Sequence, residues 1–186
     1  MKDFEQIVEA LLFASPDPLT QKKINTIFDA DPPDLNFFVE KLKKKYNKNN
    51  NAFEILAVAG GYQIRTKLEY DFFVRRLIAK SSQFYLSQAA LETLSIVAYK
   101  QPISRIDIEG IRGVDCAGVL KTLLKKSLIK ISGRDDSPGR PLIYRTTDTF
   151  LKSFGLNRLS DLPKLKEISE LIENEPDLIE QIDAFK

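Results

Sequence analysis

The sequence contains no histidine. That removes Ser–His and Cys–His catalysis, imidazole metal sites and the commonest general base together. The single cysteine, Cys116, excludes an internal disulfide and any zinc site built on several thiolates, and it fits a reducing compartment. No apolar run approaches the roughly 20 residues that span a bilayer. There is no Gly-rich phosphate loop of the P-loop or dinucleotide-binding kind. Residues Met1-Lys2-Asp3-Phe4-Glu5 place acids where a secretory signal carries a basic patch. The expectation is a cytoplasmic chain. Carboxylate or lysine chemistry stays open in principle, yet no spacing marks a pair of acids for it, so a chain without catalytic, cofactor or metal residues is expected.

What is present describes a folded protein. The 186 residues suffice for one ordinary domain or two small ones, and 43% apolar with 29% charged residues is a globular balance. The formal net charge of +2 hides an asymmetry: from Asp161 onward eight acids face three lysines, so that tail is −5 and the body is +7. A moderately basic body permits nucleic-acid contact without demanding it, and an ordinary solvated surface explains the charge equally well.

The chain repeats one unit. Phe4, Ile7, Val8, Leu11 and Leu12 recur at helical spacing, and Pro16-Asp17-Pro18 ends that helix. Thr20 is positioned to cap a second helix whose Ile24 and Ile27 or Phe28 face inward. A third helix carries Leu35, Phe38, Val39 and Leu42 and is expected to dissolve in the polar run 43–51. Strands at 53–59 and 62–66 follow, joined at Gly60-Gly61, a hairpin signal. A helix over 68–78 completes the first copy. The order then returns. Ala90, Leu91, Leu94, Val97 and Ala98 form a face behind the cap Ser87, and Pro102-Ile103-Ser104 ends that helix. Ser104 and Asp107 have capping-box spacing. Gly113 interrupts, Asp115 is a candidate cap, and Val119, Leu120, Leu123 and Leu124 build the next helix. Strands at 128–132 and 142–146 flank the polar turn 133–141, and a helix over 147–154 stops at Gly155. Three helices and a hairpin make a winged helix. The fold class expected is mainly α with small β-hairpins (α+β), as two tandem winged-helix domains. Their expected bounds are 1–80 and 87–157, with a linker at 81–86 and an acidic, partly helical tail at 158–186.

A winged helix lays its third helix in a DNA groove or serves as a protein-docking module. In the second copy Lys121, Lys125 and Lys126 could neutralise phosphates non-specifically, with Arg134 and Arg140 on the wing. That helix lacks the Arg, Asn and Gln that read bases, and Asp135-Asp136 at the wing tip would repel phosphate. A winged-helix DNA-binding regulator is the alternative function. Cys116 reads as a small core thiol. Phe72 and Phe73 cannot both point inward from one helix, so one is expected at the surface, where with Arg76 and Leu77 it would serve self-association.

The words Leu86-Ser-Gln-Ala-Ala-Leu-Glu-Thr-Leu-Ser-Ile-Val-Ala-Tyr-Lys-Gln-Pro-Ile-Ser-Arg, Gly139-Arg-Pro-Leu-Ile-Tyr-Arg-Thr-Thr-Asp-Thr-Phe and Glu9-Ala-Leu-Leu-Phe-Ala-Ser closely resemble the segregation and condensation protein B family. The likeness covers roughly residues 4–163. Pro16-Asp17 and Arg145 depart from the family pattern at peripheral positions. The resemblance implies a homodimer formed through the N-terminal copies. It also implies a kleisin partner, segregation and condensation protein A, whose central segment docks on the C-terminal copies. Through that partner the dimer would act on an SMC-type ATPase at the nucleoid. The words it shares suggest Tyr99, Gln101, Arg105, Arg112, Arg134, Arg140 and Tyr144 as kleisin contacts, while Gly139 and Pro141 serve wing geometry as readily.

Overall fold

The computed structural model describes residues 3–28, 30–78 and 86–164. Of the expected linker only residue 86 is among them, and of the expected tail only 158–164. The amphipathic pattern from Leu165 to Phe185 lies outside the described residues.

Helix α1 (Phe4–Ala14) is capped by Asp3 and buries Val8 and Leu12. Helix α2 (Gln21–Ile27) starts at Thr20, whose hydroxyl accepts from the Lys23 amide at 3.3 Å. Ile24 is fully buried; Phe28, not Ile27, joins the core beside it. Helix α3 (Leu35–Lys48) does not dissolve at Lys43 but runs on to Lys48. The reason is Tyr46: its ring is buried and its hydroxyl donates to Glu9 Oε1 at 2.8 Å, which holds the last turns of α3 against α1.

Strands β1 (Phe53–Val58) and β2 (Gly61–Thr66) pair antiparallel with Ile55 opposite Ile64. The two glycines do different jobs. Ala59 and Gly60 form the turn, both at positive φ (48° and 74°), as a tight hairpin with right-handed strand twist requires. Gly61 already belongs to β2. A Cβ there would meet the Leu19 carbonyl oxygen at 2.7 Å, and Leu19 forms a bridge to Tyr62 in both directions. After a 3-10 turn, Leu68–Tyr70, helix α4 (Asp71–Ile78) buries none of its residues.

The second unit repeats the plan. Helix α5 (Gln88–Lys100) is capped by Ser87 and buries Ala90, Leu94, Val97 and Ala98, whereas Leu91 faces solvent. Ile103–Ser104 forms a short strand, β3, which the helical punctuation had concealed. It is the counterpart of the Leu19 bridge. Helix α6 (Arg105–Arg112) opens on the Ser104–Asp107 capping box and ends at Gly113 in the left-handed region. Helix α7 (Ala117–Lys125) starts at Cys116, which makes no side-chain cap; Asp115 instead accepts from the Ala117 amide at 3.2 Å. Strands β4 (Ile129–Arg134) and β5 (Leu142–Thr146) complete a three-stranded sheet in the order β3-β5-β4. A bulge between Ile131 and Gly133 carries β4 into what the residue types marked as turn. Helix α8 (Asp148–Phe154) is capped by Thr147 and stopped by Gly155 at φ 69°. Beyond it Leu156 and Leu162 pack onto the second core, and Tyr99 donates to the Pro163 carbonyl at 2.8 Å.

Each unit therefore has its own core. Val8, Leu12, Leu19, Ile24, Leu35, Val39 and Leu42 anchor the first, and Leu94, Val97, Ile108, Leu120, Leu123, Leu128 and Phe150 the second. Each such side chain contributes about 1.5–3 kcal/mol by leaving water. The two cores share no residue. Hydrogen bonds cross between the units: the Ala59 amide donates to Leu156 O, the Gly60 amide to Asn157 Oδ1, and Arg65 to Lys152 O.

Candidate functional site

The polar residues singled out in the second unit divide by environment. Tyr144 is a core residue, 7% exposed, on the central strand β5, and burial pushes its phenol upward. Gln101, at the end of α5, is spent internally. Its amide nitrogen donates to Thr146 Oγ1 and its oxygen accepts from the Thr146 amide, both at 2.9 Å. Gln101 thereby braces the wing, and Tyr144 packs within it. Arg134 and Arg140 are exposed, and Arg134 donates to the Arg140 carbonyl at 3.0 Å, which pins the base of the wing tip. Arg140 sits at φ 43°, held by its amide donating to Ser137 O.

A second cluster surrounds α6. Arg105 donates to Glu109 and to Asp115, and Glu109 also accepts from the Cys116 amide. The Arg105 hydrogen bond, then the Cys116 amide, holds the Glu109 carboxyl below its usual range. Arg112 bridges from α6 to Glu92 on α5 at 3.2 Å, with its side chain only 8% exposed. Its Nε–H is buried with no partner among the described residues. A buried donor of that kind is costly unless something arrives to accept from it. Around these charges Ile106, Ile111 and Val114 are 68%, 54% and 55% exposed. Sequence reading had missed this apolar surface. The signal was there: the capping box leaves Ile106 on the outer side of a short helix whose buried face is carried by Ile108 alone. Cys116 beneath it is 1% exposed, and burial, then the Glu109 charge, pushes its thiol upward.

In the first unit, not one but both of Phe72 and Phe73 are exposed, and they stack edge to face 5.4 Å apart. Arg76 lies over the Phe72 ring at 5.5 Å and Leu77 projects beside them. Leu68 and Ile78 are 86% and 54% exposed. Opposite in character is a groove of about 590 Å³ between α1 and the hairpin, floored by Ala10, Phe13, Phe53 and Ile64. Gln6, Ala10 and Phe13 recur at helical spacing on the side of α1 away from Val8 and Leu12, which is how this groove could have been read from sequence.

The cations of the second unit form the remaining candidate. Lys121 and Lys125 are exposed one turn apart on α7, and Lys130 stands directly opposite Arg145 across the β4–β5 pair. No ion pair engages these four among the described residues. Lys126 is half-buried. Among the described residues no three side chains of a metal-binding type come together, and no helix is long and apolar enough to cross a membrane.

Residues 6–165 match the sequence pattern of a family described as segregation and condensation complex subunit ScpB. The chain is 45% identical over 182 residues to Segregation and condensation protein B of Syntrophotalea carbinolica, covering 98% of this chain and 92% of that one. It is 45% identical over 172 residues to the protein of the same name from Clostridium tetani, covering 92% and 91%. Among solved structures it is similar to ScpB from Mycobacterium tuberculosis, at 26% identity over 83% of this chain and 96% of that one, with a TM-score of 0.39.

Proposed function

Because this chain belongs to the segregation and condensation complex subunit ScpB family, we propose that it is a non-catalytic scaffold subunit of a bacterial SMC–kleisin complex, acting in chromosome condensation and segregation. The observation that carries this reading is the near full-length match, which spans both winged helices and not one alone. In this reading the first units dimerise. The second units hold the central segment of a kleisin, segregation and condensation protein A, and the SMC ATPase is reached through that partner. The work is done in the cytoplasm, at the nucleoid. A scaffold of this kind needs surfaces, not reacting groups: it fixes the path of a flexible partner and so biases the ring to which that partner belongs.

The groups offered to the kleisin are Tyr99, Arg105, Arg112, Arg134 and Arg140. Ile106, Ile111 and Val114 supply exposed apolar area on and beside α6, and the Arg112 Nε–H, without a partner among the described residues, supports this placement. Gln101 and Tyr144 act through the shape of the wing. Light scattering after size-exclusion chromatography, alone and with a kleisin central segment, tests the proposal. A dimer that takes up one kleisin per two chains supports it; a chain that ignores kleisin overturns it.

Weak non-specific DNA contact is compatible with the same fold, and Lys121, Lys125, Lys130 and Arg145, without an ion pair among the described residues, favour it as a secondary property. The acids Asp135 and Asp136, exposed at the wing tip, argue against a DNA-binding regulator as the main role. Duplex affinity that falls steeply with salt would mark several neutralised phosphates.

A further inference from the structure

We propose that the cations Lys121 and Lys125 on α7 and Lys130 and Arg145 across β4–β5 are the docking surface of this chain's own acidic segment, residues 165–186. The segment is a tethered counter-charge, and duplex DNA reaching those cations must displace it. Only that competition rests on the reading of weak DNA contact; the docking stands on charge.

The two units treat the same helix differently. In the first, three lysines of α3 are each matched by a carboxylate of their own unit: Lys41 by Glu5 at 3.5 Å, Lys43 by Glu40 at 2.9 Å and Lys45 by Glu9 at 3.3 Å. Glu5 and Glu9 stand on α1. In the second unit α7 takes the place of α3, and α5 the place of α1. The single acid of α5, Glu92, is spent on Arg112 of α6. Lys121 and Lys125 are exposed, and no ion pair engages them among the described residues. The same holds for Lys130 and Arg145, which stand directly opposite each other on paired strands. Like charges so placed repel. The second unit thus lacks the counter-charge that the first carries within itself.

The chain holds that charge further on. Residues 165–186 carry seven acids against Lys166 and Lys186, a net charge of −5. The segment is rooted on the same unit: Tyr99 of α5 donates to the Pro163 carbonyl at 2.8 Å, and α5 packs on α7. Its 22 residues reach as far as about 70 Å when extended. A unit of about 75 residues has a radius of gyration of only about 11 Å, so all of its surface lies within reach. Exposed ion pairs are individually weak. A tether changes that balance, because it holds the acids at an effective concentration on the order of millimolar. Pairs too weak to hold two separate molecules then suffice within one chain.

The test compares the full chain with a full-length variant in which the segment is neutralised without loss of size: Glu167→Gln, Glu170→Gln, Glu173→Gln, Glu180→Gln and Asp183→Asn. Lysine acylation followed by peptide mass spectrometry is the first readout, with the exposed Lys22 and Lys44 of the first unit as internal references. In the parent at low salt, Lys121, Lys125 and Lys130 should react at least about threefold more slowly than in the variant, while Lys22 and Lys44 react alike in both. The protection should vanish at about 1 M salt, where the screening length falls to about 3 Å. A carbodiimide, which joins only touching acid and amine, should link the segment to those three lysines at the mass of one chain. Duplex DNA should suppress the links. Equal acylation rates in parent and variant overturn the docking, as do links made only to first-unit lysines or only between two chains. Duplex that binds without suppressing the links overturns the competition. A parent that binds no duplex at low salt overturns the DNA reading, and the acylation rates still decide the docking.

Discussion

Gln101 and Thr146, 45 positions apart, bond in both directions: the Thr146 amide donates to Gln101 Oε1 and Gln101 Nε2 donates to Thr146 Oγ1, both at 2.9 Å. The end of α5 is thereby sewn to the end of β5, and the wing is set relative to the helices. Gln101→Ala should lower stability by about 1–2 kcal/mol, because it leaves partly buried backbone and hydroxyl groups without partners. Urea unfolding of the second-unit signal measures this. Kleisin affinity of the folded fraction should be unchanged in Gln101→Ala and reduced in Arg140→Ala, whose stability should match the parent. Equal stability and weaker kleisin binding for Gln101→Ala would make it a contact instead of a brace.

Tyr46 and Glu9 form the corresponding brace in the first unit. Burial, then the Glu9 hydrogen bond and charge, pushes the Tyr46 phenol above its ordinary range. The folded state therefore holds this proton more tightly than the unfolded state. The contribution is fully present below the ordinary tyrosine pKa of about 10 and is lost as pH rises through the higher folded value. Stability should fall with pH above about 10, and more steeply than in Tyr46→Phe, which lacks the group. Tyr46→Phe should itself cost about 1–2 kcal/mol at neutral pH. Parallel alkaline slopes for the two chains would show that another group governs them.

Cys116 should be inert. It is 1% exposed, and burial raises its thiol, so little thiolate forms at neutral pH. A thiol-specific colour reagent should react slowly with the native chain and completely in urea. Rapid native reaction would mean that the α6–α7 junction opens readily.

These expectations come from features of uneven legibility. Caps and stops were readable because their chemistry is local: Thr20, Ser87, Ser104, Thr147 and Gly155 each act within four residues. The repeat was readable because periodicity survives without any knowledge of partners. The length of α3 was not, since Lys43 to Asn51 is polar at every position except Tyr46, and Tyr46 earns its place only through Glu9 on another helix. Strand β3 was hidden for a similar reason. Two residues carry no period, and only β5 makes them a strand. The groove and the exposed Phe72 and Phe73 of α4 depend on what does not pack there among the described residues, and a local pattern is silent about that.

Lys130 and Arg145 stand directly opposite each other across β4 and β5, and no ion pair engages either among the described residues. Like charges directly opposite on antiparallel strands are destabilising. Lys130→Glu should convert the repulsion to attraction and stabilise the second unit by about 0.2–1 kcal/mol. The gain should shrink in high salt, because both groups are exposed and screened. If the same change weakens binding to duplex DNA, the unfavourable pair is retained for that anionic partner. A loss of stability would show that an unmatched cation is not the governing term at this site.

The seam between the two units should behave as a latch. The Ala59 amide meets Leu156 O at 3.0 Å, the Gly60 amide meets Asn157 Oδ1 at 2.9 Å, and Lys152 meets Asp17 at 2.7 Å. All of these are polar contacts, and the cores on either side share no residue. The Lys152 hydrogen bond holds the Asp17 carboxyl below its ordinary range. Its contribution is therefore present above the usual aspartate pKa and is lost only as pH falls through the lowered value, so mild acidification to about pH 5 should leave the seam closed. The double variant Asp17→Ala with Asn157→Ala should open it at neutral pH. Small-angle scattering should then report a larger radius of gyration, while the unfolding midpoints of the two cores stay where they were. An unchanged radius would mean that the units are held by something other than these contacts. A shifted midpoint would mean that Asp17 or Asn157 supports its own unit. The expected result, separation without loss of either fold, would give a scaffold two rigid docking modules whose spacing a partner can set at small energetic cost.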